Sequence, residues 1–560
     1  VAREQRERKL EVGAVTYEEV DEEYFLKRTL RRHAGVWSLW ALGVGAVISG
    51  DFYGWNFGLS VGGFGGLLIA TAIIAVMYYG LCYSIAEMSP ALPHTGGAYS
   101  FARSAMGPWG GFTTGLAENM EYVITPAVVV GAIGLLMQAL VVNLLGTGGT
   151  LTPDGLGVQG APWWNSEPFW WAVFYVIFVG INIMGIEATM RFTVTITVLA
   201  LSVLVVFYVS ALVTGSLDPK LWFNIPAGWD GETLSALLPE GGGPFLPFGV
   251  SGIFKALPFA IWFYLAIEEV PLAAEESMDP RRDVPKGTIW GMHTLLIASI
   301  FTLFINSGVG GGAGAIGITG TPLFDGFKGI FGEGTAAALL ALVGLVGLVA
   351  SFFTIIFAYG RNTYSLSRAG YFPKWLSVTH PTRKTPYVAL IAGAIVGYLV
   401  ILLVWTLQRR GGEAAAQVVA AVLNMAVFAA VISYALQCAS FILLRRNFAH
   451  IERPYRSRWG EAGAYVAGTI AVVALVSIFL NEDYRPGVYG VAIYYVLGLV
   501  YFAIAGRHRL VLSPEEEFAL TKGERGLPGQ EGFVASRAEQ EAILGGGESG
   551  SSSTPPPSSG

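Results

Sequence analysis

Charge is what this chain has least of. Only 13% of its 560 residues are Asp, Glu, Lys or Arg, against about a quarter in an ordinary soluble domain. The deficit runs from residue 35 to about 505, which excludes the string of soluble domains such a length usually means. A basic surplus is lacking too: the net charge of −6 argues against a nucleic-acid partner. Cysteine is nearly missing. Cys82 and Cys438 each lie in an apolar stretch and read as small buried hydrophobes, not as a disulfide or metal framework. His33, His94, His293, His380, His450 and His508 are scattered and build no H-E-x-x-H pattern, so a membrane-embedded enzyme finds no support and no catalytic or metal residues are assigned. There is no Walker loop, which removes ATP as the driving force. A channel lacks its pore-loop signature, and a sensor lacks a soluble output domain. Residues Val1 to Leu30 have no apolar centre of the kind a cleavable signal needs. The start at Val1 in place of Met suggests a trimmed chain.

What the sequence has instead is apolar length. Hydrophobic residues make up 53% and the mean hydropathy is +0.55. Apolar blocks of about 20 residues, enough to cross about 30 Å of hydrocarbon, recur almost evenly. Twelve spans are predicted: 35–62, 64–91, 107–142, 168–187, 192–214, 247–272, 287–308, 334–360, 386–406, 416–444, 462–480 and 486–505. Helices are the expected form, because the blocks do not alternate like barrel strands. With the N-terminus inside, the inner loops carry fifteen Lys and Arg, from Arg103 to Arg458. The outer loops carry five: Lys220, Lys328, Arg409, Arg410 and Arg485. That asymmetry puts both ends in the cytoplasm of a cell membrane. Residues 1–34 are expected at the cytoplasmic face. Residues 506–560, ending in GGGESGSSSTPPPSSG, are expected to be a disordered tail.

Two spans are interrupted. The first reads GVWSLWALGVGAVISGDFYGWNFGLSVGG, with Ser49, Gly50, Asp51 and Gly54 near its middle. A charged Asp there costs about 2.5–3.5 kcal/mol on insertion, which a wet functional cavity would justify. An unwound segment would offer its backbone groups to a ligand. The bland alternative is a glycine-rich packing face with Asp51 near an interface. The sixth span reads FGVSGIFKALPFAIWFYLAIEEVPLAAEE, with Pro258 breaking the hydrogen-bond ladder and Glu268 and Glu269 close behind. A proline kink with interfacial aromatics would also fit it. Interruptions five spans apart match a five-plus-five inverted repeat, with spans 1–5 in residues 35–214 and spans 6–10 in 247–444. Lys255, one turn before Pro258, reads either as a snorkelling helix-end lysine or as a compensating charge.

The segments AEMSPALPHTGGAYSFARSAMGPWGGFTTG, LAAEESMDPRRDVPKG and YGRNTYSLSRAGYFPKWLSVTHPTRKTPYVAL resemble signatures of the amino acid–polyamine–organocation (APC) superfamily of permeases. The resemblance covers roughly residues 35–506. ISGDFYGWNFGL, GPWGGFTTG, EYVITPA and LPFAIWFYLAIEEVPLAAEE are similar to its ethanolamine permease subgroup. What this implies is an all-α inverted-repeat transporter with broken helices 1 and 6, spans 11 and 12 (462–505) peripheral, and alternating access around a site between spans 1, 3, 6 and 8. Glu268 matches a recurrent sixth-span carboxylate linked to proton-coupled gating. Pairing with an inner-loop Arg is its other reading. Glu121 with Tyr122 matches an E-Y pair of the subgroup. Glu118, three residues earlier, does not, and shares its helical face.

An amino acid brings its own carboxylate to such a site, whereas an amino alcohol brings only a cation. Asp51 is therefore the candidate counter-charge for a small amine, most readily ethanolamine. Amino acids and polyamines are the alternative cargo. Trp262 and Tyr264 offer ring faces worth about 0.5–2 kcal/mol to an ammonium. Carbonyls near Phe259, Ala260 and Ile261 are candidate acceptors, and Ser49 a partner for the hydroxyl. Gly50 completes the first break. Ser351 and Thr354 in span eight are the candidate sodium ligands, although a core Ser or Thr more often bonds back to its own helix. Coupling is open between Na+, H+, exchange and facilitated diffusion. No cofactor is expected, and membrane lipid is the other partner.

Overall fold

Apolar stretches in a solvent without hydrogen-bonding capacity must satisfy their backbone internally, and helices do so. The computed structural model describes residues 9–12, 14–18, 20, 22–151, 158–332, 336–411, 413–482 and 484–524. Among these are ten helices long and apolar enough to cross a membrane and two shorter apolar ones. In chain order they are α1 Val36–Phe52, α2 Phe57–Ala91, α3 Ala98–Leu145, α4 Glu167–Met184, α5 Ile186–Val213, α6 Gly249–Ile261, α7 Pro280–Asn306, α8 Ala336–Arg368, α9 Tyr387–Arg410, α10 Glu413–Asn447, α11 Gly460–Leu480 and α12 Arg485–Ile504. The chain is thus an all-α polytopic membrane protein; each predicted span contains most of one helix, the first running on into the start of α2 and the sixth past the end of α6. Two predicted starts fall on backbone breaks. Gly63 (φ 67°) interrupts α2 and Gly107 (φ 79°) interrupts α3, in a conformation only glycine adopts without strain.

Tight interfaces join α3 to α10, α2 to α6 and α3 to α8. Lipid is as apolar as leucine, so such contacts rest on close packing rather than on the hydrophobic effect. The apolar window of α8 is 89% buried, whereas that of α12 is 17% buried. α8 is therefore central and α12 lies at the edge. Val205, Val206, Val209, Ile493, Leu497 and Ile504 are exposed, a surface that suits hydrocarbon and not water. Two short helices, Gly312–Ile318 and Pro322–Phe331, cover one end of the bundle. Asn56 ties them down by donating to the carbonyls of Ile316 and Thr319, both at 2.8 Å.

The other end corrects the expectation of a disordered tail beginning at 506. Strands β1 Lys9–Val12 and β2 Val15–Glu18 form a hairpin, and β3 Leu510–Val511 joins it in parallel through Tyr17↔Leu510 and Glu18↔Val511. Helix α13, Pro514–Leu520, follows with Glu515 and Glu516 fully buried. Arg103, in the turn of α3 before Gly107, bonds Glu516 at 2.7 Å. Tyr17 and Tyr371 donate to the same carboxylate at 2.6 and 2.8 Å. Glu515 takes Arg368 and the Ser365 hydroxyl at the end of α8. Burial alone would raise the Glu515 carboxyl, but Arg368 and His94 outweigh it and hold the group at about 2. The arginines that meet Glu515 and Glu516 lie far away in sequence, so nothing local to the tail marks this segment as docked. The Gly/Ser/Pro stretch lies outside the described residues.

Candidate functional site

α1 stops at Phe52, where Tyr53 is extended and Gly54 takes φ 98° before the chain resumes at Phe57. α6 stops at Ile261, turns through Trp262–Ala266, and continues as a 3-10 helix, Ile267–Glu276. Ala266 at the joint has φ 79°, an uncommon conformation for a residue with a Cβ. The two breaks touch. A Cβ on Gly50 would lie 1.8 Å from the Trp262 carbonyl oxygen, so Gly50 is what allows the backbones to meet. Ser351 of α8 braces this region: its Oγ accepts the Ser49 N–H and donates to the Gly45 carbonyl, both at 2.9 Å. Thr354 bonds back to Ala350 of its own helix at 2.8 Å.

Asp51 is fully buried. Its Oδ1 accepts Thr302 of α7 at 2.9 Å, and Thr302 shares a 2.6 Å hydrogen bond with Tyr208 of α5. Oδ2 has no partner among the described residues. The Tyr264 hydroxyl is taken by Ser299 of α7 at 2.8 Å. The carbonyls of Phe259, Ala260 and Ile261 accept the turn N–H groups of Trp262, Phe263 and Tyr264, and each keeps a second lone pair. Phe52 and Tyr53 line an apolar cavity of about 110 Å³ that runs under the Pro322–Phe331 helix. This cavity lies at the end of the bundle opposite α13 and touches the break at Phe52 and Tyr53. Lys255 is exposed on α6.

A second constellation joins α3 to the 3-10 segment after α6. Glu118, Glu121, Glu268 and Glu269 are all buried. Tyr122 reaches Glu268 at 3.3 Å and Glu118 at 3.5 Å. Tyr434 of α10 donates to Glu121 at 3.2 Å and accepts from Tyr78 of α2 at 3.2 Å. The Glu121 and Glu268 carboxyl groups are neighbours that act on each other, and two such groups can bond each other directly when one of them carries a proton. One oxygen each of Glu118, Glu121 and Glu268, and both of Glu269, lack partners. The arginines go to later glutamates instead: Arg361 grips Glu276 with two bonds of 3.0 Å, and Arg368 meets Glu275 at 2.6 Å. Glu268 therefore does not pair with an inner-loop arginine, the bland reading of that residue.

The structure brings Ser49, Gly50, Trp262 and Ser351 into one neighbourhood and Glu121 with Glu268 into another. Sequence reasoning missed Thr302, Tyr208, Tyr78 and Tyr434. A threonine in an apolar helix usually bonds its own backbone, and a tyrosine there usually packs, so neither carried a signal. Among the described residues no group of three or more His, Cys, Asp or Glu forms a metal site.

Comparison with known sequences bears on this arrangement. A family model described as "Amino acid permease" matches residues 39–506. An uncharacterized transporter of Rhizobium meliloti is 32% identical over 65% of this chain and 70% of its own. A branched-chain amino acid permease and a methylthioribose transporter, both of Bacillus subtilis, are each 24% identical over 86% of this chain and 95% of theirs.

Proposed function

The chain belongs to the amino acid permease family of the APC superfamily, a multi-pass secondary transporter and not an enzyme, and from that premise we propose that its cargo is a small organic ammonium ion. Asp51, Glu118, Glu121, Glu268 and Glu269 are buried and form no ion pair among the described residues. That observation carries the reading. An isolated buried carboxylate costs several kcal/mol, so the interior is completed by a cation or by protons. Ethanolamine is the cargo we favour, imported by alternating access around the two breaks as in a five-plus-five repeat. Asp51 is its counter-charge, Trp262 and Tyr264 offer ring faces, and the Phe259–Ile261 carbonyls and Ser49 offer acceptors. The named relatives favour a second reading, an amino acid. The Leu265 and Ala266 N–H groups, which make no backbone hydrogen bond among the described residues, would suit its carboxylate.

Coupling is assigned to protons through Glu121 and Glu268. The hydroxyls of Ser351 and Thr354 are engaged with backbone carbonyls, which supports protons over sodium. The deciding experiment is radiolabelled uptake into proteoliposomes under imposed proton or sodium gradients. Saturable ethanolamine uptake, driven by a proton gradient and not competed by alanine or putrescine, is expected. Alanine uptake without ethanolamine uptake would overturn the cargo and leave the permease assignment standing.

A further inference from the structure

At the end of the bundle that holds the β1–β2 hairpin and α13, α2, α7 and the loop before α11 enclose a cavity of about 530 Å³. Its rim is cationic. Arg281, Arg282 and Lys286 come from the first turns of α7, and Arg458 comes from the loop. Among the described residues no carboxylate lines it. Arg281 shares an exposed ion pair with Glu452 at 3.4 Å. Arg282, Lys286 and Arg458 form no ion pair among the described residues; Asp283 in the same turn is buried and offsets Arg282 and Lys286 only at longer range, leaving Arg458 without such an offset. Several like charges gathered round one hollow repel each other unless an anion sits among them.

The wall then changes character along α7. Trp290 and His293 follow the basic turn and lie within the cavity lining, facing Tyr83 of α2. Trp290 is exposed and packs 5.6 Å from the exposed Trp37, while Tyr79 and Tyr83 pack on Trp459. Beyond them Ile297, Ile300 and Phe301 are exposed. Cations, then an aromatic belt, then bare apolar surface is the order of chemistry in a phospholipid from phosphate to acyl chain. A free oxyanion would use only the first of the three.

We propose that this cavity is a binding site for the headgroup of an anionic diacyl phospholipid, with Arg282, Lys286 and Arg458 on the phosphate and the acyl chains along α7. Basic pockets between spans suit such headgroups on electrostatic grounds. The inference is independent of the transported cargo.

The test uses purified full-length protein in zwitterionic detergent, titrated with phosphatidylglycerol, phosphatidylcholine or inorganic phosphate while the thermal midpoint is followed. Phosphatidylglycerol alone should raise the midpoint saturably, and native mass spectrometry should show one retained anionic lipid. The Arg282→Ala/Lys286→Ala/Arg458→Ala variant should weaken that response roughly a hundredfold, as expected for three charges near a headgroup. An Arg383→Ala/Lys384→Ala variant, which removes two cations elsewhere on the same face, should not. Equal responses to both lipids, or an unchanged triple variant, would overturn the proposal. An equal response to inorganic phosphate would overturn the lipid as its source. The wild-type titration decides the matter even if the triple variant fails to fold.

Discussion

At position 50 there is no room for one more carbon. Gly50→Ala would set a methyl 1.8 Å from the Trp262 carbonyl oxygen, which is backbone and cannot rotate away. Such an overlap must be relieved by moving α1 from α6, at a cost of about 1–3 kcal/mol. The expected outcome is a lowered thermal midpoint and at least a tenfold loss of uptake, whichever solute is carried. Asp51→Asn is a different experiment, since the amide is nearly isosteric and can keep the Thr302 hydrogen bond of 2.9 Å. It should insert and fold normally and still lose amine uptake by more than tenfold. Unchanged affinity for ethanolamine would remove Asp51 from the cargo site. Glu268→Gln can still bond Glu121 without a shared proton. We expect it to keep exchange of solute across the membrane and to lose acceleration by a proton gradient. The sequence showed these three positions because glycine and carboxylates are conspicuous in an apolar helix. It did not show that Thr302 and Tyr208 receive Asp51, since nothing in their own helices marks them.

At the scale of elements, the termini form a small structure of their own. The hairpin, β3 and α13 meet ends of α3 and α8 that are up to several hundred residues away in sequence, and so no local pattern announces them. The spans were legible because apolar length and the flanking glycines are local properties. α13 was not, because its stability lies in the partners of Glu515 and Glu516. Glu515 is held at about 2 when docked, against about 4.3 in a free chain. A carboxyl lowered on docking favours the docked state fully above its free value and loses that contribution as pH falls towards the docked value. Docking should hold from pH 7 down to about 4.5 and weaken between there and about 2. Limited proteolysis after Arg509 reads this out directly. Glu515→Gln should be cut faster at pH 7 and show little further change on acidification. Constant protection of the unaltered chain at pH 3 would show that Glu515 does not govern docking.

For the whole molecule, the two ends of the bundle are built unequally. At the end with the termini, Arg361–Glu276, Arg368–Glu275 and Arg103–Glu516 tie the segment after α6 to α8, and α3 to the tail. At the opposite end, the covering helices leave an apolar cavity against Phe52 and Tyr53, beside the break in α1. Buried ion pairs hold a geometry more than they stabilise it, because desolvation offsets their attraction, but losing one partner leaves a buried charge exposed to that cost. On the alternating-access reading proposed above, this is the state closed at the end that holds α13, and opening that end parts these pairs. Thiol labelling can test this, since Cys82 and Cys438 are both buried and contribute little background. Thr321→Cys, in the cavity lining, should react with a membrane-impermeant maleimide added from that side. Ser365→Cys, buried beside Glu515, should stay protected from the other side. Adding Glu276→Gln to each variant leaves Arg361 without its partner and should raise Ser365→Cys labelling several-fold while slowing Thr321→Cys labelling. A rise at both positions would mean general loosening. An opposite response at the two ends is what one conformational equilibrium, shifted by one ion pair, requires.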